Sequence, residues 1–526
     1  MNRCYLISCK DQIEKVLTLQ DRNEFSNTYG CFDRNYWHYK TRDFPSAMSQ
    51  EYTLVLALAY SVNFDNNIYY KNKNVHKWVL SGMNYLMKHS RQDGSLDDYY
   101  PYERALGAAV FTTYAFTESC ILLGVNNESY NNYFHNSISW MKQANESGVL
   151  TNHHAIQAVC YLNMYKITDD KEYLHLADNK ITAIIKTQNK EGWFPEYEGC
   201  SPGYLTVTID YLAQFFSYRP SKQLKASILQ AIKFLHNIQH PDGTCGGDYG
   251  SRNTSFFHPN GFEIMSSISK EATEIANSYL FAKSKNLLPV QQDDYTIGHG
   301  LISNLSAYKN CNRENFENLN KVRSNFIKTY DSAGLRVLAK NNIWSIFNVQ
   351  KGGVGKIYSE NKLIFRYAGI VIKNKNKYYV NNSVQPDCEY KITGDSILII
   401  SRFTPYKQKV PTLYNYFIFR FFLIVFGRFE TISRLVRKIL QNLLIYKRSN
   451  SHYHSETKII LTDDALRLKI KVSGKFNGNE EVFASDNFVP MYTAMSEYYS
   501  LEDLKSHNSM LEKKEDAFVF ENSYKL

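Results

Sequence analysis

Three short segments carry side chains that could do chemistry. TNHHAIQA puts Asn152, His153 and His154 at the start of an expected helix, EGWFPEYEGCSPGYLTVTIDYL holds Trp193, Glu196, Tyr197 and Tyr204, and GGDYGSRNTSFFHPNGFE holds Tyr249, Arg252, Asn253 and His258. Asn and Arg can neutralise the carboxylate of a uronic acid, which acidifies the proton on the neighbouring carbon. His or Tyr can then remove that proton, and a Tyr hydroxyl can donate one to a departing oxygen. If the three segments face one cleft, His154, Trp193, Glu196, Tyr249, Arg252, Asn253 and His258 are the candidate substrate contacts. Two of these have an equally good structural reading: Trp193 as a staple of its hairpin, and Arg252 as a bridge between repeats. The early cluster Asp33, Arg34, Trp37 and Asp43 reads either as an ion-pair lock on the first hairpin or as a glycan contact, the lock being slightly favoured.

The elements that must position these residues repeat. A Gln-led turn recurs at Gln92, Gln143, Gln188 and Gln239, each after a stretch of helical periodicity, at spacings of 51, 45 and 51 residues. That is the length of a helix, a loop and a returning helix, so the first half reads as stacked helical hairpins closing into a toroid. The loops of one rim would then gather around a central cleft. From about Gly334 the texture changes to two-residue alternation bounded by Gly and Asn, as in LRVLAK, SILIISRF and ALRLKIKVSG, the signature of antiparallel strands. The expected fold is α+β and multidomain: an N-terminal (α/α) helical toroid over 1–325, then a C-terminal antiparallel β-sandwich over 326–526.

At 526 residues the chain exceeds one ordinary core, and 44% hydrophobic with 21% charged residues describes a globular protein. The nine Cys are scattered without a C-x-x-C pair, which reads as reduced thiols and gives no structural zinc site. MNRCYLISCKDQIEKVL has charges where a signal peptide needs an apolar core, so the expected location is cytoplasmic, peripheral on the inner membrane face. Net charge is +10, and Arg402 to Arg448 alone carries ten Lys/Arg against Glu430. Excess charge concentrated in one segment argues against a general nucleic-acid surface and for a local device.

That segment is a basic amphipathic insertion at about 405–448. Its apolar run from Leu413 to Phe426 is 14 residues long and contains Asn415 and Arg420, short of the ~20 needed to span a bilayer. Phe429, Ile432, Leu435, Val436, Ile439, Leu440, Leu443 and Leu444 follow at helical spacing, with Arg434, Arg437 and Lys438 largely on the other side. Residues 412–448 therefore read as an interfacial device lying on an anionic membrane surface. The competing reading is a helical insertion packed on its own domain or on a second copy.

The order of helices then strands, the NHH at Asn152 to His154 and the SPGY at Ser201 to Tyr204 resemble the heparinase II/III and alginate-lyase group of polysaccharide lyases. The resemblance implies β-elimination or a related C5 epimerisation, with Asn152 neutralising the carboxylate, His153 rather than His154 as base, and Tyr204 as base or acid. YGCFDRNYWHYKTRDFPSAMSQ and the GRF-containing basic segment resemble heparinase-like proteins encoded with bacterial capsule or O-antigen genes. The implied partner is an acidic polysaccharide or lipid-linked glycan. The chain departs from that group in having no export signal, and for a further His from the β part it offers only His452 and His454.

Other chemistries remain open. A toroid can host a glycoside hydrolase using two carboxylates, for which Asp97 or Asp98 with Glu196 or Asp248 are the candidates. It can also be a noncatalytic glycan-binding scaffold. The QNKEGW turn resembles the Gln-Trp repeats of terpene cyclases, but neither D-x-D-D nor D-D-x-x-D occurs. There is no P-loop, G-x-G-x-x-G after a strand or G-x-S-x-G elbow, so no cofactor is expected and no metal is assigned.

Overall fold

The computed structural model describes residues 2–144, 150–197, 199–290, 292–313, 326–340, 342–394, 396–407, 410–441, 451–462, 465–488, 495–496 and 499–525. The chain opens with α1 (Cys9–Leu19), the one-turn α2 (Arg34–Trp37), α3 (Tyr52–Ser61), α4 (Lys73–His89), α5 (Leu106–Leu123) and α6 (Glu128–Gln143). It continues with α7 (Thr151–Thr168), α8 (Lys171–Thr187), α9 (Pro202–Tyr218), α10 (Lys222–Ile238), α11 (Asn260–Met265), α12 (Lys270–Ser284) and α13 (Ile297–Asn310).

Two kinds of helix alternate. In α5, LGAAVFTTYAFTESCILL is apolar or small on every side and its residues are mostly buried, as a helix enclosed by neighbours requires. Helices α4, α6, α8 and α10 bury one stripe and show solvent the other. The enclosed helices contact one another in circuit, α3 with α5, then α7, α9, α11, α13 and back to α3. α5 is also long and apolar enough to cross a membrane, but 72% of it is buried in this ring.

The Gln-led turns lock one hairpin to the next. Gln188 Nε2 donates to Gly192 O at 2.8 Å in its own turn and to Ser227 O at 2.9 Å on α10. Gln239 does the same toward Gly243 and Ile275 of α12. Beside them a glycine with positive φ lies so close to the following outer helix that a Cβ on Gly94, Gly192 or Gly243 would fall 2.5, 2.6 or 2.0 Å from Ser137, Gln230 or Ser278 backbone atoms. Gln20 and Gly30 repeat the device against Trp78 and Ser81 of α4, an earlier copy that the repeat count from Gln92 onward missed. Gln188 and Gln239 thus set the register of one hairpin on the next, whereas Gln92 lies at a surface cavity.

Three antiparallel sheets follow, where two faces of a sandwich are expected. The first is the meander β1 (Phe326–Tyr330), β2 (Leu335–Lys340), β3 (Ile343–Asn348), β4 (Val354–Ser359) and β5 (Lys362–Tyr367). After it come β6 (Gly369–Asn374), β7 (Lys377–Val380), β8 (Glu389–Thr393), β9 (Ser396–Arg402), β10 (Thr404–Tyr406), β11 (His454–Leu461), β12 (Ala465–Ser473), β13 (Glu480–Ser485), β14 (Asn508–Met510), β15 (Glu512–Lys514) and β16 (Ala517–Lys525). These form one sheet in the order β10-β7-β6-β13-β14 and another in the order β15-β16-β12-β11-β9-β8. Strand alternation gives the meander two apolar faces. Trp344, Ile346, Val354 and Tyr358 join the helical core, while Phe347, Ile357, Phe365 and Tyr367 join the core of the other two sheets.

Between β10 and β11 the insertion folds as a helical hairpin, α14 (Leu413–Phe426) and α15 (Glu430–Gln441). It rests on the helical ring. Arg420 pairs with Asp43 and lies over Phe44, the Phe419 ring meets Tyr100 edge-on at 5.4 Å, and Ser433 Oγ donates to Tyr102 O. Leu423 is buried, while Leu413, Phe417, Phe421 and Ile424 are exposed. Lys409, Leu443, Leu444, Lys447 and Arg448 lie outside the described residues, as do the side chains of Arg434, Arg437, Lys438 and Leu440.

Candidate active site

The first turns of the enclosed helices share one rim of the ring. The His153 ring, on α7, meets Phe111 of α5 edge-on at 5.8 Å, and Phe111 packs 4.9 Å from His299 of α13. A Cβ on Gly107 would lie 2.8 Å from His153 Cε1, so the absence of a side chain on α5 makes room for the imidazole. Tyr204, on α9, is half-buried and meets Phe256 edge-on at 5.2 Å, and Phe256 in turn lies 5.8 Å from His258, just before α11. His153 and Tyr204 thus each stand behind a ring, Phe111 or Phe256, that packs against a histidine of the bore, His299 or His258.

The outer helices α4, α6, α8, α10 and α12 begin with Asn72, Asn127, Asp170, Ser221 and Ser269, whose side chains accept hydrogen bonds from first-turn amides. None of the six enclosed helices has such a side-chain cap. α3 continues directly from a short 3-10 turn, Met48–Glu51, whose amides donate to Ser46 Oγ and Asp98 Oδ1, and the charges of Glu51, Asp98 and Asp293 act on His299 at the start of α13.

Two carboxylate–histidine pairs line the bore beneath, and sequence reasoning missed both pairings. Glu51 Oε2 lies 3.0 Å from His299 Nδ1, with both side chains nearly enclosed. Burial pulls the His299 pKa down, but Glu51, with Asp293 and Asp98 behind it, more than offsets this, and the net shift is upward. Asp210 Oδ2 lies 3.7 Å from His258 Nδ1 and accepts from Ser303 Oγ, while its Oδ1 accepts from Asn260 Nδ2 and Gln214 Nε2. Glu51 and His299 stand 248 positions apart, so spacing gives no signal for the pair; only the ring closure brings them together.

Asn152 sits in the first turn of α7. It is buried, and its Nδ2 donates to Glu196 Oε1 at 2.7 Å, while Thr151 Oγ1 donates to Pro195 O at 2.7 Å. These bonds fasten the start of α7 to the loop before α9, so Asn152 and Glu196 act as a positioning pair. His154 follows on the same helix, half-buried.

The meander covers the other candidates. Trp193 Nε1 donates to Glu191 Oε2, and Glu191 accepts from Ser332 and Ala333 N in the β1–β2 turn. Tyr249 is fully buried; its OH meets His240 Nε2 and Gly246 N at 3.0 Å, and its carbonyl accepts from Asn348 Nδ2. Lys351 Nζ reaches into the same loop and donates to Asp248 O, Gly250 O and Asn253 Oδ1. Arg252 is buried with its guanidinium 3.9 Å over the Tyr197 ring. Tyr249 and Asn253 directly, and Trp193 through Glu191, therefore join ring to sheet, because β1–β5 docks on the turns after α8 and α10, while Arg252 packs within the helical part on Tyr197.

The carboxylates weighed for hydrolysis are also engaged. Asp97 accepts from Arg91 Nη2 and from Tyr102 and Arg104 N, and Asp248 is buried against Arg366 Nε at 2.7 Å. Asp98 accepts from Ser46 Oγ, and burial raises its pKa. A carboxyl not singled out from sequence, Glu103, is pushed up to about 7 by burial and by the Asp98 charge, although Tyr99 and Asp98 N donate to it. Its neighbour Tyr99 lies within electrostatic reach of Tyr204. Among the described residues no group of three or more His, Cys, Asp or Glu is placed to hold a metal ion.

No protein-family model matches the sequence, and no curated protein does. Seventy-eight solved chains match the structure. The chondroitin AC lyase of Streptomyces coelicolor A3 is 7% identical with a TM-score of 0.50, over 92% of this chain and 68% of that one. A second chondroitinase AC lyase is 10% identical at the same TM-score and coverage. Cellobiose 2-epimerase from Bacillus thermoamylovorans B4167 is 12% identical with a TM-score of 0.45, over 58% of this chain and 99% of that one. At such identities the likeness is one of fold. The chain shares with the two lyases an architecture of helices followed by antiparallel sheets.

Proposed function

We propose that this chain is a carbohydrate-active enzyme of the (α/α) toroid type, acting on a uronic-acid-containing glycan by abstraction of the C5 proton, with elimination or epimerisation as the outcome. The observation that carries the reading is that His153 and Tyr204 stand in the first turns of the neighbouring enclosed helices α7 and α9, neither of which has a side-chain cap. Those N-termini favour the uronate carboxylate and any charge that develops on it. His153 or Tyr204 takes the proton, the Tyr204 hydroxyl returns one, and Asn152 holds the start of α7 through Glu196. The exposed apolar face of α14, beside the rim loops, supports docking to a membrane and a lipid-linked form of the glycan. This fits synthesis of surface polysaccharide, such as capsule or O-antigen, at the inner membrane face.

The test is deuterium incorporation at C5 when the protein is incubated in heavy water with uronic-acid-containing glycans, comparing wild type with His153→Ala and Tyr204→Phe. Incorporation without cleavage, lost in both variants, is the epimerase result, and an unsaturated product absorbing in the ultraviolet is the lyase result. No exchange and no product across a broad glycan panel would defeat the proposal. Glu103, a carboxyl held near neutrality, favours hydrolysis as a second reading. That reading requires reducing ends to appear without C5 exchange, and to disappear in Glu103→Gln.

A further inference from the structure

A cavity of about 660 Å3 opens beside the rim, between the C-terminal turn of α4, the 44–50 segment and the turn leading into α5. Arg91 and Arg104 line it with Asp93, Asp97, His89 and Phe44. Arg91 Nη2 is bonded to Asp97 Oδ2 at 2.5 Å, and its guanidinium lies 4.3 Å over the Tyr102 ring. Arg104 is buried, held at φ 49, and its closest acidic atom is Asp93 Oδ2 at 3.5 Å from Nε. Arg91 Nε and Arg104 Nε and Nη1 are buried with no hydrogen-bond partner among the described residues. Buried guanidinium donors left without acceptors are costly.

The formal charges of Arg91 and Arg104 balance those of Asp93 and Asp97. The cavity therefore lacks acceptor oxygens more than it lacks counter-charge. A phosphodiester, with several oxygens and one negative charge, meets that need; a dianionic phosphate brings surplus charge against the two aspartates. The cavity also adjoins the hairpin. Phe44 lies under Arg420 of α14, and Tyr102, stacked under Arg91, packs on Gly427 and accepts from Ser433.

We propose that Arg91 and Arg104 form a binding site for a phosphodiester group, next to an apolar hairpin that would seat the lipid to which such a group is joined. This rests on the proposed membrane-surface reading for its lipid source, but not for the cavity itself.

The test needs no turnover. Glycerophosphoglycerol is titrated into the full chain by calorimetry, alongside flotation with vesicles of phosphatidylcholine, with or without phosphatidylglycerol. Saturable binding of the soluble diester, weakened about tenfold or more in Arg104→Gln and in the less enclosed Arg91→Gln, and preferred over inorganic phosphate at pH 8, is the expected result. Arg104→Gln folding is checked by circular dichroism, and Arg91→Gln carries the test if it unfolds. Flotation with phosphatidylglycerol vesicles that weakens in the arginine variants assigns the group to a lipid; flotation independent of them assigns it to a soluble phosphodiester. Absence of saturable diester binding, or equal binding by wild type and both variants, overturns the site. A wild type that binds diester but gives no C5 exchange leaves the site standing and refutes the proposed activity alone.

Discussion

Replacing His299 by Gln should destabilise the ring in a pH-dependent way. Its imidazole lies 3.0 Å from Glu51, in a site where the two side chains are 11% and 2% exposed. Removing one partner of a buried ion pair leaves the other charge uncompensated and costs ~3–5 kcal/mol. If the ~300-residue helical part unfolds as a unit, a loss of roughly 3 kcal/mol lowers its apparent midpoint by about 5 °C. The pKa of His299 is raised in the folded state, so the pair's contribution is fully present below the unfolded value of about 6.5 and is lost as pH rises through the folded value. The gap between wild type and His299→Gln should therefore be full below pH 6.5 and narrow as the pH rises above it. Glu51→Gln/His299→Gln, which removes both charges, should recover much of the stability and flatten the pH dependence. Thermal unfolding of the four proteins across that pH range is the assay. A gap that stays constant with pH, or a double variant no more stable than His299→Gln, would refute an ionised pair in the bore.

Other outcomes follow from particular contacts. Gly243→Ala drives a Cβ to within 2.0 Å of Ser278 O at φ 86 and should lower the melting midpoint clearly. Gly124→Ala has no atom within 4 Å and should cost only ~1 kcal/mol from its positive φ. Glu103, pushed up to about 7, penalises the folded state progressively as pH rises from its unfolded value of 4.5 and fully above 7. Glu103→Gln should therefore gain stability relative to wild type over that window in a pH series of melts, and an unchanged gap would contradict the raised pKa. Phe417→Asp and Phe421→Asp sit on exposed positions of α14. They should leave the melting curve unmoved while weakening vesicle flotation by tenfold or more, since each buried aromatic contributes ~1.5–3 kcal/mol.

Much of the frame was legible locally. The stretches ALGAAVFTTYAFTESCILLG and HHAIQAVCYLNMYKI read as helices, and they fold as α5 and α7. The alternation in LRVLAK and ALRLKIKVSG gives β2 and β12. The Gln-led repeat was only half a structural one: Gln188 and Gln239 stand four residues before a glycine and bond to the next outer helix, whose identity is a tertiary fact, whereas Gln92 is exposed and Gln143 ends α6. The site was legible in part. His153 and Tyr204 stand at the starts of enclosed helices, and that position follows from the hairpin period. Trp193, Tyr249, Arg252 and Asn253 occupy comparable loops, but the sequence holds no sign that the meander covers those loops and leaves the turn before α5 to the hairpin.

The sequence by itself determined which segments are helix or strand and where the apolar insertion lies, because periodicity, turn residues and composition act over a few residues. Tertiary structure alone decided the partners. Glu51 meets His299, Asp210 meets His258, Asn152 turns to Glu196 and Lys351 fills the 248–253 loop. The physical reason is that burial and charge pairing depend on distances set by closing the ring and docking a sheet on it, and no local pattern encodes contacts between residues so far apart in the chain.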